Sequence, residues 1–291
     1  MSEIKGFTTI EVARLCRVSD ATVKRWEEAG LLKSERTNGG HRRFRAEEVA
    51  RFQREQGLGL KQSHGDESVT KTINRARDKK VSSDSTFLQS LIDGGEESAA
   101  NFFITAHLEG KPLTEIIDRL ICPAMQEIGE LWHRGEISVS QEHLATRTAI
   151  SAIYKLRSAL PVPEMRNGLA VCCALEGDLH ELPTLLAQIA IENEGLEVIN
   201  FGAATPLYCL ADEVVRHSPN FVCISAAVTN DLERLTRDYK DFREKIVKLE
   251  IPVLLGGRVF EDEHIRKRFK GEFYARSFAD VAVFARNLYK N

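Results

Sequence analysis

Apolar positions follow different periods in successive stretches of the 291-residue chain. Near the start the pattern is that of short helices. Thr8-Thr9-Ile10-Glu11 reads as a capping box opening a helix through Leu15, with Ile10, Val12, Ala13 and Leu15 on its buried face. Arg17-Val18 makes a short turn. Ser19-Asp20 caps a second helix, Ala21 to Ala29, which Gly30 closes. On that second helix Val23 and Trp26 face the core, while Thr22, Lys24, Arg25 and Glu28 face outward. Asn38-Gly39-Gly40 is a strong hairpin signal, and another helix runs from Ala46 to about Gln56. Residues 1–57 thus form one small domain.

Residues 58–85 are polar and lack sustained apolar periodicity, apart from a candidate helical piece near Thr70–Arg77. This reads as a linker that lets the first domain orient independently of the rest of the chain. Over residues 86–162 the period is helical. Phe87, Leu88, Leu91 and Ile92 mark one helix, and Ala99, Phe102, Phe103 and Ala106 a second. A third runs from Leu113 to Trp132, and a fourth carries Leu144, Ala145, Ile150, Ile153 and Leu156. Four amphipathic helices with short links predict an antiparallel four-helix bundle.

Residues 168–291 alternate apolar runs with helices. Strands are expected at Leu169–Leu175, Leu196–Phe201, Phe221–Val228, Val253–Leu255 and Phe273–Ala275. Helices are expected at Leu182–Asn193, Leu207–His217, Leu232–Leu249, Glu261–Lys270 and Phe278–Leu288. That alternation predicts an α/β domain with a parallel, flavodoxin-like (Rossmann-like) five-strand sheet, so the fold class is multidomain.

Composition adds three constraints. An apolar fraction of 43% can build ordinary cores, and no apolar run is long enough to cross a membrane. The start has no apolar signal-peptide core, which predicts a cytoplasmic, bacterial-type protein with no membrane partner. The six cysteines form no CxxC pair or metal-finger spacing, and Cys172, Cys173 and Cys223 lie in apolar runs as buried packing. The net charge of −3 conceals a basic first domain, with 12 Lys/Arg against 9 Asp/Glu in residues 1–57. A basic head on an acidic body suits a nucleic-acid module joined to something else. No hydrolase triad, phosphate loop or zinc signature points to an enzyme.

Two short helices across a tight turn make a helix-turn-helix, and its second helix offers Thr22, Lys24 and Arg25 to a major groove. Beyond it, Arg36, His41, Arg42, Arg43 and Arg45 sit on a projecting wing suited to phosphate contacts. Thr9-Ile10-Glu11-Val12-Ala13, Thr22-Val23-Lys24-Arg25-Trp26-Glu27 with Gly30-Leu31-Leu32, and Gly40-His41-Arg42-Arg43-Phe44 together resemble the MerR-type winged helix-turn-helix domain. The resemblance implies double-stranded operator DNA as a partner.

The bundle carries chemistry at one end. Its third helix ends at Trp132-His133-Arg134-Gly135, and Ser138-Val139-Ser140-Gln141 is a capping box opening the fourth. Glu142 and His143 fall in that first turn, so Trp132, His133, Glu142 and His143 share one mouth. In the α/β region the first strand runs into Asp178-Leu179-His180, the third holds Ser225 and leads to Thr229, and the fourth ends in Gly256-Gly257. Ligands bind such sheets at carboxyl strand ends, and a small hydroxyl with two glycines leaves a slot there. Asp178 is spaced to fix the His180 imidazole tautomer for a metal.

Asp178-x-His180, Ser225, Thr229 and Gly256-Gly257 resemble the cobalamin-binding domain. That resemblance implies His180 as lower axial ligand of cobalt, Asp178 as its hydrogen-bond partner, and a slot at Ser225, Thr229, Gly256 and Gly257 for the nucleotide tail. Trp132 and the later Glu142-His143 resemble the further motif of the cobalamin-dependent photoreceptor repressors, the CarH-like group, with head, bundle and α/β domain in the same order. There the bundle caps the upper corrin face. The resemblance implies adenosylcobalamin as chromophore, with Trp132, Glu142 and His143 about the adenosyl group. It also implies His133 as an upper ligand after photolysis, and a dark homo-tetramer that releases DNA in light. One departure is Pro183 where the family pattern Asp-x-His-x-x-Gly has glycine. Two alternatives stand beside this reading: a light-independent sensor of cobalamin or another tetrapyrrole, and a corrinoid methyl carrier.

Overall fold

In the computed structural model, residues 6–58, 85–161 and 168–288 are described. They divide into two compact units, residues 1–161 and 162–291. The expected linker, including its candidate helical piece, lies outside the described residues apart from its ends.

The first unit opens with α1 (Thr9–Cys16) and α2 (Asp20–Glu28). Both begin where side chains satisfy the free N–H groups of a first turn. Thr8 and Glu11 form the reciprocal capping box, and Ser19 accepts the Thr22 N–H. Arg17, at φ 55°, turns the chain between them. The wing is a two-strand ribbon, β1 (Glu35–Arg36) against β2 (Arg42–Arg43), antiparallel, with Arg36 opposite Arg42. Gly40, at φ 76°, completes its turn. α3 (Ala46–Gln56) closes the head by stacking Phe52 on Trp26, ring centroids 4.7 Å apart. One expectation fails here. Ile10 is 64% exposed, and the buried face of α1 is Val12, Ala13 and Cys16. Ile10 lies about 200° around the helix from Val12, away from that face.

The bundle consists of α4 (Ser85–Ile92), α5 (Glu96–Leu108), a third helical run and α8 (Val139–Ala159). The third run is one rod with a change of pitch: α6 (Leu113–Ile116), a π-turn over Ile117–Ile121, then α7 (Cys122–His133). The Cys122 N–H reaches back to the Ile117 carbonyl. Pro123 has no N–H to donate, and its ring crowds the carbonyl four residues earlier, which favours the wider turn. The rings of Phe87, Phe102 and Phe103 pack together in the bundle core. The head is not independent of this bundle. α3 packs on α5 and α8, Arg54 donates to the Ser158 carbonyl, and Lys155 lies 4.0 Å from Glu47.

The second unit is a five-strand, all-parallel sheet in the order β4-β3-β5-β6-β7. Its strands are β3 (Leu169–Ala174), β4 (Glu197–Asn200), β5 (Phe221–Ser225), β6 (Val253–Gly256) and β7 (Phe273–Ala275). The intervening helices are α9 (Leu182–Asn193), α10 (Leu207–His217), α11 (Leu232–Ile246) and α12 (Glu263–Arg268), and α13 (Phe278–Asn287) comes after β7. Residues of α9 and α13 cover one face, while α10 and α11 cover the other. The central strands are buried on both sides, as parallel sheets require. Cys172 and Cys223 face each other in register in one core layer, and Cys173 is buried on the opposite face of the sheet. The hydrogen bond with Cys223, together with burial, pushes the Cys172 thiol well above its ordinary range, which fits a packing role.

Candidate functional site

The α/β unit gathers its chemistry where the strand order reverses. β3 and β5 are neighbours, yet the chain leaves β3 for α9 on one face and β5 for α11 on the other. Between such diverging loops a crevice opens, and ligands bind there in doubly wound sheets.

Asp178, in the loop after β3, is fully buried. Its Oδ2 accepts the Ala227 N–H from the loop after β5 at 2.6 Å. Its Oδ1 accepts the His180 N–H at 3.0 Å and lies 2.7 Å from His180 Nδ1. The Asp178 carbonyl accepts the Ala204 N–H at 2.8 Å, so the loop after β4 is tied in as well. A carboxylate can only accept, so Nδ1 carries the proton and Nε2 presents a lone pair. The His180 side chain is 57% exposed on this buried anchor. That is the arrangement of a metal-ligating histidine with its orienting carboxylate. No group of three ligand-type side chains is gathered among the described residues.

The slot residues are equally specific. Ser225 is buried and pairs in register with Gly256. Thr229 Oγ1 is buried without a hydrogen-bond partner among the described residues. A hydroxyl left unpaired in this way costs free energy until a ligand group satisfies it. Gly257 stands at φ 101°, and a Cβ there would lie 2.4 Å from the Ala226 carbonyl oxygen. The backbone approach therefore requires glycine. At Gly256 a Cβ would make only ordinary contacts with Ala275. Pro183 occupies the first turn of α9, where no intrahelical N–H is needed, and leaves the Asp178–His180 pair intact. The residues present, an oriented imidazole and an unpaired buried hydroxyl, fit a cobalamin-type cofactor.

At the junction of α7 and α8, residues 134–138 connect the helices, and Ser138 and Gln141 form the expected capping box. Trp132, in the last turn of α7, is 49% exposed, an open indole rather than core. His133 and His143 are exposed. Glu142 is half-buried, accepts the Thr146 hydroxyl at 2.9 Å, and lies 3.7 Å from His143 Nε2. All four therefore belong to one end of the bundle, as the sequence implies.

On the head, Thr22 shares a 3.0 Å hydrogen bond with Ser19 Oγ and accepts from Arg25 at 3.3 Å. Lys24 pairs with Asp20 at 3.4 Å. The wing arginines hold partners within the head. Arg42 Nε donates to Glu27 at 2.9 Å, Arg36 reaches Glu27 at 3.5 Å, and Arg45 pairs with Glu35 at 2.6 Å. Arg43 donates to the Arg42 carbonyl at 3.1 Å, and His41 is exposed at the turn. Glu27 belongs to the MerR-like motif, but the sequence assigns it no role of its own. Its clue in the sequence is an acid on the recognition helix shortly before a cluster of four arginines.

Known proteins match this chain in its head and in its body. Residues 8–44 match the MerR family regulatory protein profile, and residues 85–157, the bundle, match the B12 binding domain. The HTH-type transcriptional repressor CarH of Myxococcus xanthus is 23% identical over 268 residues, 84% of this chain and 86% of that protein. Dimethylamine corrinoid protein 3 of Methanosarcina acetivorans is 23% identical over 147 residues, 50% of this chain and 69% of its own. The structure of the Methanosarcina barkeri monomethylamine corrinoid protein superposes with a TM-score of 0.58 at 17% identity, covering 69% of this chain and 96% of its own.

Proposed function

We propose that this chain, which joins a MerR-type head to a B12-binding body, is a light-responsive transcriptional repressor with adenosylcobalamin as its chromophore. The observation that carries the cofactor is the buried Asp178, which fixes His180 with its Nε2 available at the strand-order switch. His180 would hold the cobalt from below, and Ser225, Thr229, Gly256 and Gly257 would line the tail. Trp132, Glu142 and His143 would hold the adenosyl side, with His133 as the replacement ligand. When bound, the cofactor supplies a cobalt–carbon bond that light breaks.

The chain's own residues do the rest. In the dark, Trp132 would pack on the adenosyl group and the chains would assemble as tetramers. Several heads then engage one operator, and contacts that are weak singly become effectively intramolecular. On illumination Trp132 loses its packing partner, the assembly disperses, and DNA is released. The similarity to a named repressor spans 84% of this chain, against 50% for the dimethylamine corrinoid protein, which supports regulation over enzymatic methyl transfer.

The test is the visible spectrum of the protein after dark incubation with adenosylcobalamin and desalting, repeated after green illumination, with His180→Ala in parallel. A retained corrinoid that changes irreversibly in light, absent from the variant, is expected. A retained but light-inert spectrum would favour a light-independent sensor, and no retained corrinoid would sink the cofactor assignment.

A further inference from the structure

The base of the wing is organised around one acid. Glu27, in the last turn of α2, is largely buried, with 15% of its side chain exposed. Its Oε1 accepts the Ser34 hydroxyl at 2.8 Å, just before β1. Its Oε2 accepts Arg42 Nε at 2.9 Å, from β2, and Arg36 Nη2 of β1 lies 3.5 Å from Oε1. Arg36 also spans the turn, donating to the Gly40 carbonyl at 3.3 Å. One carboxylate thus bonds the lead-in to the wing and both of its strands.

The segment between α2 and the wing is fixed independently. The Lys33 N–H donates to Glu48 at 2.8 Å, and Arg51 donates to the Leu31 carbonyl at 3.3 Å, both from α3. The wing strands themselves are two residues each, too short to hold an angle by their own ladder. The Glu27 contacts, with a longer Arg42–Glu28 pair at 3.8 Å, tie both strands to the recognition helix, while the Phe7–Phe44 bridge holds the chain just after β2.

We propose that Glu27 is a positioning residue that locks the wing to the recognition helix, with Arg42 as its structural partner rather than a phosphate ligand. The proposal rests on the DNA-binding reading of the head. Arg42, 21% exposed, bonded through Nε to the partly buried Glu27 carboxylate and 3.8 Å from Glu28, is committed inside the domain. Cations on the outer surface, such as Arg25, with a neutral hydroxyl partner, are the ones left to meet phosphates. A misaligned wing would then cost affinity without removing any counterion-releasing contact.

The experiment uses the full chain loaded with adenosylcobalamin and kept in the dark, and a duplex obtained by in vitro selection on the wild type, with affinity measured across a salt series. Glu27→Ala and Arg42→Ala should each weaken binding about tenfold, the scale of one charge-assisted hydrogen bond. Their salt slopes should match the wild type, and the double variant should be no worse than either single one. The charge-swapped pair, Glu27→Arg with Arg42→Glu, should recover most of the loss. Thermal unfolding establishes that each head is folded, and Glu27→Gln, which keeps an acceptor for Ser34, carries the test if Glu27→Ala unfolds. A slope reduced by about 0.9 in Arg42→Ala would make Arg42 a phosphate ligand and overturn the proposal. Unchanged or tighter binding by Glu27→Ala would overturn it too. A wild type that retains no duplex would sink the DNA-binding reading and the proposal with it.

Discussion

Replacing Asp178 by asparagine changes one atom and should disable the candidate cobalt ligand. The carboxylate is fully buried and serves three donors: the Ala227 N–H, the His180 N–H and His180 Nδ1–H. An amide has one acceptor oxygen and one NH₂. If the oxygen turns to Ala227, the NH₂ confronts the His180 N–H, and Nδ1 must become the acceptor. The imidazole proton then moves to Nε2, which can no longer bind a metal. If the oxygen turns to His180, the tautomer survives and the Ala227 N–H is left facing a donor. Either orientation orphans one buried N–H, costing about 1–3 kcal/mol. Asp178→Ala orphans both and should cost about twice that. Urea unfolding of the apo chain measures the loss, nitrogen chemical shifts of the imidazole report the tautomer, and desalting after incubation with cobalamin reports retention. An asparagine variant with wild-type stability and full cobalamin retention would refute the account.

The geometry dictates three further outcomes. Gly257→Ala places a Cβ 2.4 Å from the Ala226 oxygen at φ 101°, so it should lower stability by about 3 kcal/mol, whereas Gly256→Ala should be tolerated; urea midpoints distinguish them. Thr229→Val removes an unpaired buried hydroxyl, so the apo protein should be as stable or more so while cobalamin affinity falls about tenfold, read by calorimetry and corrinoid titration. Glu27 is held below the ordinary carboxylate range by the Ser34 hydrogen bond first and Arg42 second. A depressed acid stabilises the fold above its unfolded value and loses that contribution as pH falls through the folded one. Head stability should therefore decline on acidification below the usual glutamate range, and Glu27→Gln should flatten that decline in acid-unfolding curves.

Much of the fold was legible because its signals are local. The Thr8–Glu11 and Ser138–Gln141 boxes reach only three residues, and both formed as their sequences imply. Strand–helix alternation likewise gave the parallel sheet, since strands buried on both faces leave continuous apolar runs. The Asp178–His180 spacing is local too, and the pair closed at 2.7 Å. What could not be read depends on distance. Glu27 meets Arg42 fifteen residues away, the Ala227 N–H meets Asp178 across 49, and neither pairing has a period. The wing arginines look alike in sequence, and only the folded head shows which of them are already bonded. The docking of α3 on the bundle joins segments on either side of residues 58–85, so composition alone suggested freedom where there is contact.

α8 is unbroken for 21 residues, about 30 Å end to end. Its first turn carries Glu142, and its last turns carry Lys155 and Ser158, which touch Glu47 and Arg54 of the head. An α-helix of this length behaves as a stiff strut, so a tilt imposed at one end appears at the other as a displacement. Substituents crowded against Glu142 and His143 would push on the same rod that meets α3 of the head. Within a single chain, then, a lever joins the end of the bundle that carries Glu142 and His143 to the MerR-type head.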